Sequence, residues 1–277
     1  MKVLTALPVL AALVGLHTPS IVAQEPSVRF TQMSQGTIES RLRQFAGNND
    51  KREANLEKMF MEAGCDGERL TEQTIKGRKQ KNLICTLQGS TEGIFIVGAH
   101  FDYHEEYGEG VVDNWSGASL LPSLFEGLKS QVLKHTFRFI GFAEEEKGLI
   151  GSTFYTKQLQ RGEVQNIRVM IDLDSLGLAP TKIWLTHSDE RMAAALKGVA
   201  NALNLPLEVV NADRVGDEDS TPFRRLHIPT VMLHSITQET VSILHSPNDN
   251  FGKIHLSDYY DSYRLIAAYL AYLDSHS

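Results

Sequence analysis

The chain has 277 residues, 42% of them hydrophobic, and a formal net charge of −7. That length leaves room for one large domain with a substantial core. The acidic balance, with no long run of Lys or Arg, argues against a nucleic-acid role. At the start, Met1-Lys2 precedes an apolar run over 3–16, too short for a comfortable membrane span, and the pair reads as a signal peptide. Ser20-Ile21-Val22-Ala23 offers a small residue at the cleavage point, so a cut after Ala23 is expected, with a permanent anchor as the alternative. This divides the chain into a signal peptide (1–23), an N-terminal extension (24–36) and one domain (37–277). Only two cysteines occur, Cys65 and Cys85, and an exported protein meets oxidising conditions, so a disulfide between them is expected.

Helices are expected over 37–45 and 50–63, with Thr37 and Asp50 as N-caps and Leu56, Met59 and Phe60 as an apolar stripe. Gly64 suits the end of the second. Strands follow at 70–75 and 82–88, joined by the basic turn KGRKQK. The continuous apolar run 93–100 predicts a buried central strand. Then come a helix over 116–128, a buried strand over 135–143, a helix over 149–159 and a third buried strand over 167–174. Further strands are expected at 182–186 and 230–234, and amphipathic helices at 191–203 and 256–273. Strands alternating with helices predict an α/β domain: a mostly parallel, mixed central sheet with helices on both faces.

Five short signatures carry the chemistry: GAHFD (98–102), VVDNWSG (111–117), EEEKGLIGS (144–152), IDLDSLG (171–177) and LHSPND (244–249). His100, the Glu145-Glu146 pair and Asp174 each fall at or just past the carboxyl end of an expected buried strand, the edge where open α/β sheets bind ligands. Two histidines and three carboxylates suit two neighbouring zinc ions when one carboxylate bridges them.

In this order the signatures resemble those of the co-catalytic two-zinc aminopeptidase family, typified by secreted bacterial leucyl-type aminopeptidases. Glutaminyl cyclases and glutamate carboxypeptidases are relatives. The resemblance covers about 37–275. It implies that His100 binds one zinc and that Asp102 holds this histidine from behind. It implies that Asp113 bridges two zincs, that Glu145 is the general base, and that Glu146, Asp174 and His245 are the remaining ligands. Counting back from Gly148-Leu149-Ile150-Gly151-Ser152 sets Glu145 as the base and leaves Glu144 without a role. Asp172 sits two residues too early to compete with Asp174, and His234-Ser235 lacks the aspartate that follows His245 at Asp249.

Other polar residues have a plainer reading. His104, Glu105, Glu106 and Glu109 are expected to form a solvated rim loop, His187, His227 and His255 to be structural or exposed, and Trp115 to pack beside the site. The chain departs from the family at Glu218-Asp219-Ser220-Thr221-Pro222-Phe223, where Ser220 replaces a histidine or aromatic residue that helps hold substrate. Asp219 and Ser220 are therefore the candidate substrate-binding pair. The implied protein is a secreted or periplasmic zinc exopeptidase with two Zn2+ per chain. It would be an aminopeptidase acting on peptides or small aminoacyl substrates, with no nucleic-acid partner and no membrane attachment after cleavage. A single-zinc glutaminyl-peptide cyclase, or a carboxypeptidase or dipeptidase, is the alternative.

Overall fold

The computed structural model describes residues 29–211 and 216–276. The expected signal peptide lies outside the described residues. Among the described residues no helix is long and apolar enough to cross a membrane.

Helix α1 (Gln35–Leu42) starts before Thr37 because Ser34 is its cap: the Thr37 N–H donates to Ser34 Oγ at 3.1 Å. Helix α2 (Asn49–Glu62) is likewise capped by Asn48, whose side chain accepts the Lys51 N–H at 2.8 Å, and Leu56, Met59 and Phe60 are fully buried along it. Strands β1 (Leu70–Thr74) and β2 (Lys81–Leu87) form an antiparallel pair. Cys85 of β2 is joined by a disulfide to Cys65, just beyond α2.

The centre of the sheet is β3 (Ile94–His100), flanked by β4 (Thr136–Phe142) and β5 (Ile167–Leu173), both parallel to it. With β6 (Lys182–Trp184), β7 (Glu208–Val210) and β8 (Thr230–His234) the order is β1-β2-β4-β3-β5-β8-β6-β7. β5 and β8 run parallel, whereas β2 pairs antiparallel with β4, and β6 with β8. The sheet is therefore mixed, with a parallel middle, as the sequence predicts.

Period-two alternation along β3 divides its side chains between two cores. Phe95, Val97 and Ala99 join the larger one, with α2 and the long α9 (Leu256–His276). Ile94 and Ile96 join the smaller one, on the other face, with Phe142, Tyr155 and Phe223. Tyr155 belongs to α5 (Ile150–Gln158).

One expected helix is broken. In place of a continuous helix over 116–128 there is an irregular turn (Val111–Trp115), then α3 (Ser116–Ala118) and α4 (Leu121–Leu128). Asp113 and Asn114 have non-helical backbone angles. Gly117 explains the tight seat of this turn: a Cβ there would lie 2.3 Å from the Leu173 carbonyl oxygen, so only glycine lets the turn press against the end of β5. Pro122, in the first turn of α4, lacks an N–H and suits a fresh helix start. Three short elements had no counterpart in the sequence expectations: α6 (Arg161–Asn166), β7 and α8 (Thr221–Arg225). Helix α7 (Glu190–Leu203) is capped by Asp189 and packs under α9.

The described end of the expected extension lies on the domain. The Thr31 N–H donates to Gly127 O at 2.7 Å and the Met33 N–H to Tyr263 Oη at 2.8 Å.

Candidate active site

Parallel β3, β4, β5 and β8 bring four carboxyl ends to one edge. His100 is the last residue of β3, Glu145 and Glu146 follow β4, and Asp174 follows β5. Asp113 comes from the irregular turn and His245 from the segment before α9.

These six side chains converge. His100 Nε2 lies 3.3 Å from Asp113 Oδ1 and 3.9 Å from both Asp174 Oδ2 and Glu145 Oε2. His245 Nε2 lies 3.1 Å from Asp113 Oδ2 and 3.0 Å from Glu146 Oε2. The two oxygens of Asp113 thus face different histidines. Three overlapping groups of donor atoms, His100–Asp113–Asp174, His104–Glu146–His245 and His100–Glu145–Glu146, are each close enough to hold one ion.

The electrostatics fit cations at these positions. Burial and the neighbouring carboxylate of Asp113 push Asp174 up to about 7, and burial holds Glu145 well above the usual carboxylate range. Burial opposes charge on His100, yet Glu145, Asp113 and Asp174 together raise it well above its ordinary value. Hydrogen bonds to Asp113 and Glu146 push His245 up to about 11. Glu146 Oε1 is buried without a hydrogen-bond partner. A buried carboxylate oxygen left unpaired is costly, and a divalent cation would relieve it together with the carboxylate repulsion. Imidazole and carboxylate are donors that zinc accepts well.

Three supporting residues fix this arrangement. Asp249 accepts the N–H groups of Val112 at 2.7 Å and Asp113 at 3.0 Å, so it fastens the turn that presents Asp113. Asn114 donates from its side chain to Leu173 O at 2.7 Å and accepts the Gly117 N–H at 2.9 Å, tying the same turn to β5. Asp102 differs from expectation. Its carboxylate stands 3.7 Å from His100 Nδ1, too far for a hydrogen bond, and the ring instead meets the Asp102 backbone carbonyl at 3.1 Å. The carboxylate accepts the N–H groups of Glu145 and Glu146. Glu144, Ser175 and His245 all have left-handed backbones, φ 56°, 55° and 50°. Each sits in or beside a site position, where such conformations concentrate.

A cavity of about 130 Å3 opens beside the cluster. Asp113, Glu145, Asp174 and His245 line it, together with Trp184, Met232, His234, Ile236 and Leu244. The structure also revises the candidate substrate-binding pair. Asp219 and Ser220 do not line this cavity, whereas Asp217 and Glu218 do. Ser220 is fully buried, with its N–H donating to Asp172 Oδ2 at 2.6 Å and its hydroxyl bonded to Glu218 Oε1 at 2.5 Å. Asp219 is buried, and burial pushes it up to about 7.

Two histidines with plain sequence readings belong to the surroundings of the site. His104 reaches Glu146, its Nε2 3.0 Å from Oε2, so this part of the rim loop turns inward. The signal was its spacing, four residues past His100 and two past Asp102. His234 walls the cavity, and burial pushes it down to about 4. Trp115, the last residue of the turn that presents Asp113, is fully buried, and His187 stacks on Trp184 with ring centroids 3.9 Å apart.

A parallel-centred α/β sheet with histidines and carboxylates paired at its carboxyl edge defines an α/β protein with a candidate metal centre. Residues 82–270 match the model of peptidase family M28, and the chain belongs to that family. It is similar to aminopeptidase YwaD of Bacillus subtilis, 27% identical over 212 residues, covering 68% of this chain and 45% of that protein. The fold resembles that of BSAP, a zinc aminopeptidase from Bacillus subtilis (TM-score 0.66, 23% identity, 73% of this chain and 52% of that one). It also resembles that of an Acidobacteriales bacterium glutaminyl cyclase (TM-score 0.74, 14% identity, 92% of this chain and 99% of that one). The chain spans less than half the length of the curated relatives it matches.

Proposed function

We propose that this protein is a secreted or periplasmic zinc aminopeptidase with two zincs per chain, held by His100, Asp113 and Asp174 on one side and by Asp113, Glu146 and His245 on the other. The observation that carries this reading is the placement of Asp113, one oxygen toward each histidine, with Glu145 alongside. Zinc so bound supplies Lewis acidity and makes water acidic enough to ionise near neutral pH. Glu145 takes the proton from the attacking water and returns it to the departing amine. Its burial suits this double duty, because a raised pKa brings a carboxyl closer to the working pH.

The cavity receives the first side chain of the peptide against Trp184, Met232, Ile236 and Leu244, which favours an apolar residue. Glu145, Asp174 and Asp217 line the same space and offset the desolvation of a charged α-amine. Secretion is supported by the leader-like start and by the Cys65–Cys85 disulfide, a bond suited to an oxidising compartment.

The test is zinc content together with turnover on matched substrates. We expect two zincs per chain. N-acetylating a leucyl peptide should lower kcat/KM at least about tenfold, roughly 1.4 kcal/mol of transition-state binding. Equal rates on free and acetylated peptides would reject the aminopeptidase in favour of a carboxypeptidase or endopeptidase. One zinc, with ring closure of glutamine-initiated peptides, would identify a cyclase.

A further inference from the structure

Next to the proposed second metal position stands a histidine that the five signatures leave out. His104 Nε2 is 3.0 Å from Glu146 Oε2, the same oxygen that His245 Nε2 meets at 3.0 Å. The two rings meet nearly at right angles, 83°, with centroids 4.7 Å apart. One carboxylate oxygen therefore lies between two imidazole nitrogens. One shared divalent cation would take a donor nitrogen from each ring together with that oxygen.

His104 is not there by the chance swing of a surface side chain. Asn49, at the start of α2 and only 7% exposed, holds the residues on both sides of it. Its side chain donates to Tyr103 O at 3.2 Å and accepts the Tyr103 N–H at 3.1 Å. Its backbone N–H donates to Glu105 Oε1 at 2.8 Å. Arg52, one turn along the same helix and fully buried, closes the loop by donating to Phe101 O at 3.3 Å and Gly110 O at 2.9 Å. Gly110 has φ 54°, and a Cβ there would lie 2.4 Å from Tyr103 Cβ, so the loop is packed at its far end too.

We propose that His104 is a fourth ligand of the second metal position, with Asp113, Glu146 and His245. The proposal rests on the two-zinc reading above. Two histidines and a glutamate are by themselves a complete donor set for a catalytic zinc, and Asp113 closes it to four. The two positions then differ in kind. The position at His104 has four protein donors, the number of a closed structural site. The position of His100, Asp113 and Asp174 has three and keeps the exchangeable place. The closed position holds its zinc more tightly.

The test compares metal-free wild type, His104→Ala and His104→Asp. Each is titrated with zinc against a chromophoric chelator, and the visible spectrum of each cobalt(II) form is recorded. Wild type should bind two zincs. His104→Ala should weaken one of them by at least about tenfold, the low end of what loss of even an outer partner costs, while the other keeps its affinity. One of the two cobalt environments should change its absorption. His104→Asp returns a donor oxygen and should recover part of the lost affinity. If the alanine variant loses both zincs and the aspartate variant regains them, a ligand role still follows. Loss of both zincs in both variants would assign His104 to loop folding and overturn the proposal. Two zincs bound with unchanged affinities and spectra in His104→Ala would overturn it while leaving the aminopeptidase reading intact. Fewer than two zincs in wild type would end the two-zinc reading and this proposal together.

Discussion

The carboxylate of Asp102 accepts the backbone N–H of Glu145 at 3.0 Å, and its other oxygen accepts that of Glu146 at 3.3 Å. Asp102 is thus a positioning residue for the proposed base and the proposed ligand, acting through their backbone. Asp102→Asn would turn an amide NH2 toward one of these N–H groups and break the grip. The expected outcome is a kcat roughly 10- to 100-fold lower with KM little changed, the range seen when outer partners of a metal site are lost. An unchanged kcat would show that the turn after β4 holds itself.

Three consecutive glutamates have three different surroundings. Glu144 is buried, with Arg78 Nε 3.2 Å and Lys147 Nζ 3.0 Å away. Glu145→Gln should keep its zinc and lose about 10²–10⁴ in kcat, the usual worth of a general base. Glu144→Gln should leave kcat within about threefold and lower the melting temperature by about 2–4 °C, the equivalent of some 1 kcal/mol in a domain this size. Calorimetry and steady-state kinetics on both variants separate the roles. Zinc-loaded but inactive Glu144→Gln would move the base by one residue.

His234 makes stability depend on acidity. Burial, aided by Lys182, depresses its pKa to about 4, while the unfolded chain has a histidine near 6.5. Between these values the unfolded state binds a proton that the folded state refuses. The stability tied to neutral His234 is therefore whole above about pH 6.5 and drains away as pH falls toward 4, by up to about 3 kcal/mol. His234→Asn keeps an acceptor for the Ile236 N–H, which His234 Nδ1 accepts at 3.0 Å, and removes the titration. Urea melts from pH 7.5 to 4 should show a flatter slope for the variant. Parallel slopes would place the acid sensitivity in the carboxylates.

The Cys65–Cys85 bond closes a loop with a sequence separation of 20 and ties the end of α2 to β2. Loops of this size lose about 3 kcal/mol of denatured-state entropy when closed. The double variant Cys65→Ser/Cys85→Ser should unfold at lower denaturant by that amount and keep its zinc affinity, because neither sulfur approaches the cluster. Loss of zinc binding in the folded variant would contradict this separation of staple from site.

Much of this molecule was legible in its residues because the relevant signals are local. A continuous apolar run marked β3 as a buried strand, since a strand covered on both faces has no polar side to show, and the largely apolar stretches of β4 and β5 were read as buried strands beside it. Their ends fixed where His100, Glu145 and Asp174 had to lie, because parallel strands share one carboxyl edge. Helix caps lie two or three residues before the expected ones, at Asn48 and Ser34, since several neighbouring polar residues can cap and packing chooses among them. What only the tertiary structure decided involves partners far apart in sequence. The break after Asp113 depends on Gly117 pressing against Leu173, and the grip on Asp113 depends on Asp249. Asp102 meets His100 through its backbone carbonyl and gives its carboxylate to the backbone after β4, and Ser220 went into the core rather than the cavity. His104 came in from the rim because Asn49 and Arg52 of α2 pull its loop onto the domain. A residue type and its spacing state which chemistry is on offer, but the direction of a side chain is set by whatever the fold packs against it.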